Sequence, residues 1–186
     1  MQGSNRPAEL ALPVASLTAL RRTLAASVGA DDAARALQSA GVAAGDALFR
    51  VLAQGPGPST GEPLSPADWT EGAFWRRFTE LFERRGWGRL TNRMMHPGVS
   101  ALDSTDWVEV DPDAGARRPS CHFTSGMIAN LLGRVSGEDV AVLEVECRSR
   151  GDERCRFLYG SPAALEIVYD AIREGQGIEA SLAALG

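Results

Sequence analysis

The chain switches between two spacings of apolar residues, and the switches mark its elements. Over residues 15–53 apolar positions fall three and four apart, the helical period, with a break at Gly29 that divides two helices. Leu17, Leu20 and Leu24 share one face of the first, with Ser16 as its expected N-cap. The second opens on Asp31-Asp32, whose charge suits a helix N-terminus, and carries Leu37, Leu48, Val51 and Leu52. It also holds Gly41 and Gly45. Glycines four apart weaken a helix in water, so a close neighbour is expected there, either within the chain or as a helix–helix dimer seam.

Between residues 55 and 68 the periodicity lapses, and Pro56, Pro58, Pro63 and Pro66 predict a long internal loop. Asp68 and Glu71 then form a capping-box-like start to a helix through Arg85, whose Phe74, Trp75, Phe78, Leu81 and Phe82 make a broad aromatic face. Gly86 ends it. Strands are expected at 87–90 and 105–110, the second followed by the turn-forming Asp111-Pro112-Asp113. Helical spacing returns over 121–136 in Phe123, Met127, Ile128, Leu131, Leu132 and Val135.

Two-residue alternation follows at 140–146, putting Val140, Val142, Glu144 and Glu146 on one strand face. Gly151-Asp152 turns the chain into a second strand at 154–159, which completes a hairpin. Ser161-Pro162 supplies an N-cap and a first helical residue for a helix through Arg173, and a short Ala/Leu helix closes the sequence. This order predicts an α+β fold, with helices packed on a small antiparallel sheet.

Length changes the picture little. The 186 residues suit one domain, read as 15–186 behind a flexible lead at 1–14. The 44% hydrophobic and 23% charged fractions are those of a globular chain. Net charge is −5 and every basic residue is Arg, which makes duplex nucleic acid a poor partner. No apolar stretch is long enough for a membrane span, and no signal peptide is evident, so a cytoplasmic protein is expected.

Cysteine placement carries more. Cys121, Cys147 and Cys155 lie within 35 residues, the last two at the ends of the hairpin connection, with Glu144 three positions before Cys147. A hairpin brings its ends together, and the helix at 121 reaches the same point if it packs on the sheet. Three thiolates and a carboxylate would form a closed tetrahedral site of the kind zinc prefers. Four anionic ligands leave about −2 unbalanced around a dication, and Arg148, Arg150, Arg154 and Arg156 are near in sequence to offset it. In a regular strand Glu144 and Cys147 point to opposite faces, so the strand must bend or end near Glu146. Glu146 or His122 are the alternative fourth ligands. Buried free cysteines acting as small hydrophobes are the competing reading.

The run from Phe123 through Leu132, then Glu144-Val145-Glu146-Cys147 and Gly151 through Phe157, resembles the 4-vinyl reductase domain family. The likeness is specific over residues 120–160. It implies a TRAPP-like α+β ligand-binding fold that commonly pairs into a homodimer. It also implies a structural Zn2+ site, because phenol sensors of that family hold zinc with Cys, Glu, Cys and Cys in positions that match Cys121, Glu144, Cys147 and Cys155.

Three function classes follow. The first is a sensor or carrier of an apolar or aromatic small molecule, hydrocarbon or tetrapyrrole. Its candidate contacts are Trp75, Phe78, Trp107, Phe123 and Met127, with His96 as the orienting polar group. The second is the bacteriochlorophyll-pathway 4-vinyl reductase or its accessory protein. Against intrinsic reduction stands the lack of a dinucleotide-binding GxGxxG or an iron–sulfur cysteine pattern. The third is a dimeric interaction module signalling through a partner protein.

Overall fold

The computed structural model describes residues 9–54 and 69–186, so the expected loop at 55–68, Asp68 of the capping box and residues 1–8 of the expected flexible lead lie outside the described residues. Its elements are α1 (Val14–Val28), α2 (Ala30–Gln54), α3 (Glu71–Glu83), β1 (Thr91–His96), β2 (Val99–Ser104), α4 (His122–Ser136), β3 (Ala141–Glu146), β4 (Cys155–Gly160), α5 (Pro162–Arg173) and α6 (Ile178–Ala183). The expected α+β class holds.

Helix boundaries follow local chemistry. Gly29 divides α1 from α2 at a φ of 86°, and Ser161 caps α5 by accepting the Ala164 N–H at 3.2 Å. Two caps differ from expectation. Pro13 precedes α1, which places Ser16 inside the first turn, and Thr70 caps α3 by accepting the Ala73 N–H.

The first two strands also sit elsewhere than expected, at 91–96 and 99–104. Gly86 and Gly88 adopt φ of 74° and 115°, outside strand geometry, and a Cβ at Gly88 would lie 2.9 Å from the Asp106 carbonyl oxygen. Residues 105–110 instead form a folded segment pinned by Asp106, which accepts the Arg89 N–H and the Ser104 hydroxyl. That segment turns Trp107 and Glu109 into the interior.

The sheet runs β1-β2-β4-β3 with every neighbour antiparallel. One face, with Leu102 and Phe157, packs under α2, α3 and α4 together with the three cysteines. The other, with Val99, Ala101, Val145 and Leu158, receives α5 and α6. The glycines of α2 meet α4 within the chain, which answers where their close neighbour lies. A Cβ at Gly41 would stand 2.0 Å from the Phe123 carbonyl oxygen, and one at Gly126 would stand 2.1 Å from that of Gln38. Backbone-to-backbone contact between α2 and α4 therefore requires glycine on both sides.

Candidate metal centre and aromatic array

Three elements deliver the cysteines to one point. Cys121 is the residue before α4, Cys147 follows the end of β3, and Cys155 opens β4. The register of β3 on β4 shifts between Glu144 and Glu146, the bend that the sequence demanded. Glu144 stands opposite Phe157 and Glu146 opposite Arg156, so the two acids that were expected to share a face are separated. Glu146 pairs with Arg154 at 3.2 Å, while Glu144 turns to the cysteines.

The ligand atoms of Cys121, Glu144, Cys147 and Cys155 all lie within 4.8 Å of one another, and all four residues are buried. Such a cluster could hold a metal ion. Cys121 Sγ is 3.8 Å from Cys147 Sγ and 4.0 Å from Cys155 Sγ, well beyond a disulfide bond. Glu144 Oε2 accepts the Cys121 N–H at 2.8 Å, whereas Glu144 Oε1 is buried with no hydrogen-bond partner among the described residues. A buried, unpaired carboxylate oxygen is costly unless something else satisfies it.

The electrostatics of the bare cluster follow from crowding. Burial, with the Cys147 thiolate beside it, pushes the Glu144 carboxyl up to about 9. Donation from the Cys121 and Cys155 thiols draws Cys147 down, and the bond to Cys147 raises Cys121. One negative charge settles at Cys147, and the other donors keep their protons. The arginines expected to offset charge are engaged elsewhere. Arg150 pairs with Asp152, Arg154 with Glu146, and Arg156 with Asp103 at 2.7 Å, because those partners lie beside them on the hairpin and on β2.

A buried polar assembly beneath the cluster had no sequence signal. Glu109, 1% exposed, accepts the Phe123 and Thr124 N–H groups at 3.0 and 2.8 Å and the Thr124 hydroxyl at 2.5 Å. It thereby satisfies the first turn of α4, and Trp107 Nε1 donates to Thr124 Oγ1 at 2.7 Å. Burial pushes the Glu109 carboxyl up, while Arg21 and the Thr124 bonds pull it back.

Five of the six expected ligand contacts fall in the same core. Rings run in contact from Trp75 through Phe78 and Phe82 to Trp107, then to Trp87, which stacks on Phe123 at 5.7 Å. Phe78, Trp107 and Met127 are fully buried, whereas Trp75, Trp87 and Phe123 are half-buried. Tyr159, which sequence reading passed over, meets Trp75 at 5.9 Å and donates its hydroxyl to Asn92 Oδ1 at 2.8 Å. His96 stands apart from the array in the β1–β2 turn, its Nδ1 accepting the Gly98 N–H. An open groove of about 580 Å³ between α2 and the end of α4 is lined by Val42, Asn130, Arg134 and Glu138 among others, and by none of the six.

Comparison with known proteins fits this geometry. Residues 110–161 match the family model of the 4-vinyl reductase domain, a stretch that contains all four cluster residues. The chain carries a 4-vinyl reductase domain. Over 85 residues it is 28% identical to the uncharacterized protein MJ0745 of Methanocaldococcus jannaschii, a match spanning 44% of this chain and 45% of that protein. The chain thus matches less than half the length of this curated relative. The phenol-responsive sensory domain of the transcription activator PoxR, solved with phenol, has the same fold. It superposes with a TM-score of 0.68 at 18% identity, covering 91% of this chain and 84% of that one. A vinyl-4-reductase family protein of Methanocaldococcus jannaschii superposes with a TM-score of 0.49 at 17% identity over 82% of each chain. Among the described residues no helix is long and apolar enough to cross a membrane.

Proposed function

We propose that this protein of the 4-vinyl reductase domain family is a zinc-stabilised module that binds an apolar or aromatic small molecule and acts as a sensor or carrier. The observation that carries the reading is the closed set of three thiols and one carboxylate with an unpaired Glu144 oxygen. Zinc suits such donors, and zinc–sulfur bonds of about 2.3 Å in a tetrahedron space the sulfurs about 3.8 Å apart. The separations of 3.8 and 4.0 Å from Cys121 match that spacing. The ion would supply the positive charge that lets Cys121, Cys155 and Glu144 give up their protons, so loading releases protons and favours the fold. With four protein donors no position is left for a reacting water, which makes the role structural.

The ligand half of the reading rests on the aromatic array. Its buried members form walls, and its half-buried ends, Trp75, Trp87 and Phe123, offer faces on which an aromatic ring can stack. Tyr159, beside Trp75, adds a hydroxyl for a polar substituent. The phenol response of the PoxR sensory domain makes phenol the first probe.

Native mass spectrometry against the denatured mass tests both halves, followed by titration of tryptophan fluorescence with phenol and then with benzene and naphthalene. One zinc per chain and a saturable fluorescence change that Trp75→Ala abolishes are expected. Zinc without any saturable change would overturn the binding role and leave an interaction module.

A further inference from the structure

Among the described residues α1 is the one long helix whose residues are all solvent-accessible to some degree, yet two of its side chains reach the interior. The Arg21 side chain, 11% exposed, sends Nη2 to the Ser120 carbonyl at 2.6 Å and Nη1 to the Glu109 carbonyl, and its Nε lies 3.7 Å from the Glu109 carboxylate. Ser120 is the residue before Cys121. The Glu109 carboxylate in turn holds the first turn of α4, which starts at Cys121. Arg22 makes a fork to both Asp111 oxygens at 2.7 and 2.6 Å, and the Asp111 N–H donates to Ser149 Oγ. Ser149 lies in the connection that joins Cys147 to Cys155. Two adjacent arginines of one helix thus grip the backbone on both sides of the cysteine cluster.

We propose that Arg21 is a positioning residue for Cys121, so that docking of α1 and occupancy of the metal centre are coupled; the inference rests on the metal reading above. The physical ground is that each requires the same backbone in the same place. Fixing 109–111, 120–121 and 147–149 by metal presents Arg21 and Arg22 with formed acceptors. Fixing them by the arginines presents the metal with placed donors. Because the coupling is between two binding equilibria, it acts equally in both directions. α1 responds most because it has no buried residue to hold it by packing. Metal loss therefore frees a helix whose Leu17 and Leu24 are otherwise half-covered.

Two measurements on the whole chain test this. The first is competition for zinc against a chromophoric chelator, for the wild type, Arg21→Ala, Arg21→Lys and the control Arg35→Ala, whose exposed partner is Asp32. Residues that orient ligands typically alter metal affinity by about 10- to 100-fold, and Arg21→Ala is expected to weaken zinc within that range. Arg21→Lys keeps the charge but loses the planar fork, so it recovers only part, and Arg35→Ala leaves affinity unchanged. The second is hydrogen exchange of the wild-type protein with and without zinc, with residues 14–28 read against α5 on the far sheet face. Faster exchange of α1 than of α5 on zinc removal supports the coupling, and it needs no variant to fold. Equal zinc affinity in wild type and Arg21→Ala overturns it while sparing the metal reading, as does equal loss of protection in α1 and α5. A wild type that takes up no zinc overturns the metal reading and this inference together.

Discussion

α1 and α4 are both 15 residues long and are held by opposite means. α4 buries seven residues, lies against α2 through glycine backbones, receives Glu109 at its first turn and ends on Gly137 at a φ of 76°. α1 buries none, and its specific ties across the described residues are Arg21 and Arg22. An element held by packing is sensitive to any added volume and indifferent to most surface charge. One held by two polar anchors tolerates volume but depends on a few acceptors, and those acceptors flank the cysteine cluster. The contrast separates the scaffold of the centre from the part of the molecule that can report on it.

The largest effect should come from Cys147→Ser, which removes the donor that carries the cluster's charge. Zinc per chain is expected to fall from one to none, with unfolding or aggregation at temperatures the wild type survives, because metal binding is part of folding. An unchanged melting temperature would place the cysteines among ordinary core residues. Next is Gly126→Ala, whose new Cβ would meet the Gln38 carbonyl 2.1 Å away. Overpacking of this kind costs about 1–3 kcal/mol, read from urea unfolding, and no comparable change on α1 should match it.

Acid sharpens the other side of the comparison. The hydrogen bonds and charge of Arg22 hold the Asp111 carboxyl below the usual aspartate range. A depressed carboxylate contributes stability that is complete above its unfolded pKa and is lost as pH falls through the lower folded value. Protection of α1 from hydrogen exchange should therefore fall below about pH 4 in the wild type, and Asp111→Asn should lack that step. The smallest effect belongs to Leu20→Gln. Leu20 is 58% exposed, and such surface changes stay within about 0.5 kcal/mol. A larger loss in urea unfolding would show that α1 is held by packing after all.

Sequence legibility divides along the same line. The hairpin, α4 and α5 were readable because their signals are local, in the Ser161-Pro162 start, the helical run from Phe123 to Val135 and the glycine turn at Gly151. The cluster was readable because three cysteines and a glutamate within 35 residues leave few ways to converge. Only the bulge beyond Glu144 distinguished it from Glu146, and a bulge has no signature in one sequence. β1 was missed because its edge position leaves it mostly accessible, so Thr91 to His96 shows no clean alternation. Val108 and Val110 imitated a strand that the folded segment around Asp106 replaces. Glu109 gave no sign at all. Its burial depends on Arg21, 88 residues away, and on the first turn of α4, and an acid between two valines reads as solvent-facing.

The central claim is the composition of the cluster, and X-ray absorption at the zinc edge of the loaded protein tests it most directly. The account predicts three sulfur neighbours at about 2.3 Å and one oxygen at about 2.0–2.2 Å, with no imidazole scattering, and loss of the oxygen shell's fit in Glu144→Ala. A first shell of oxygen and nitrogen, or an imidazole signature pointing to His122, would contradict it.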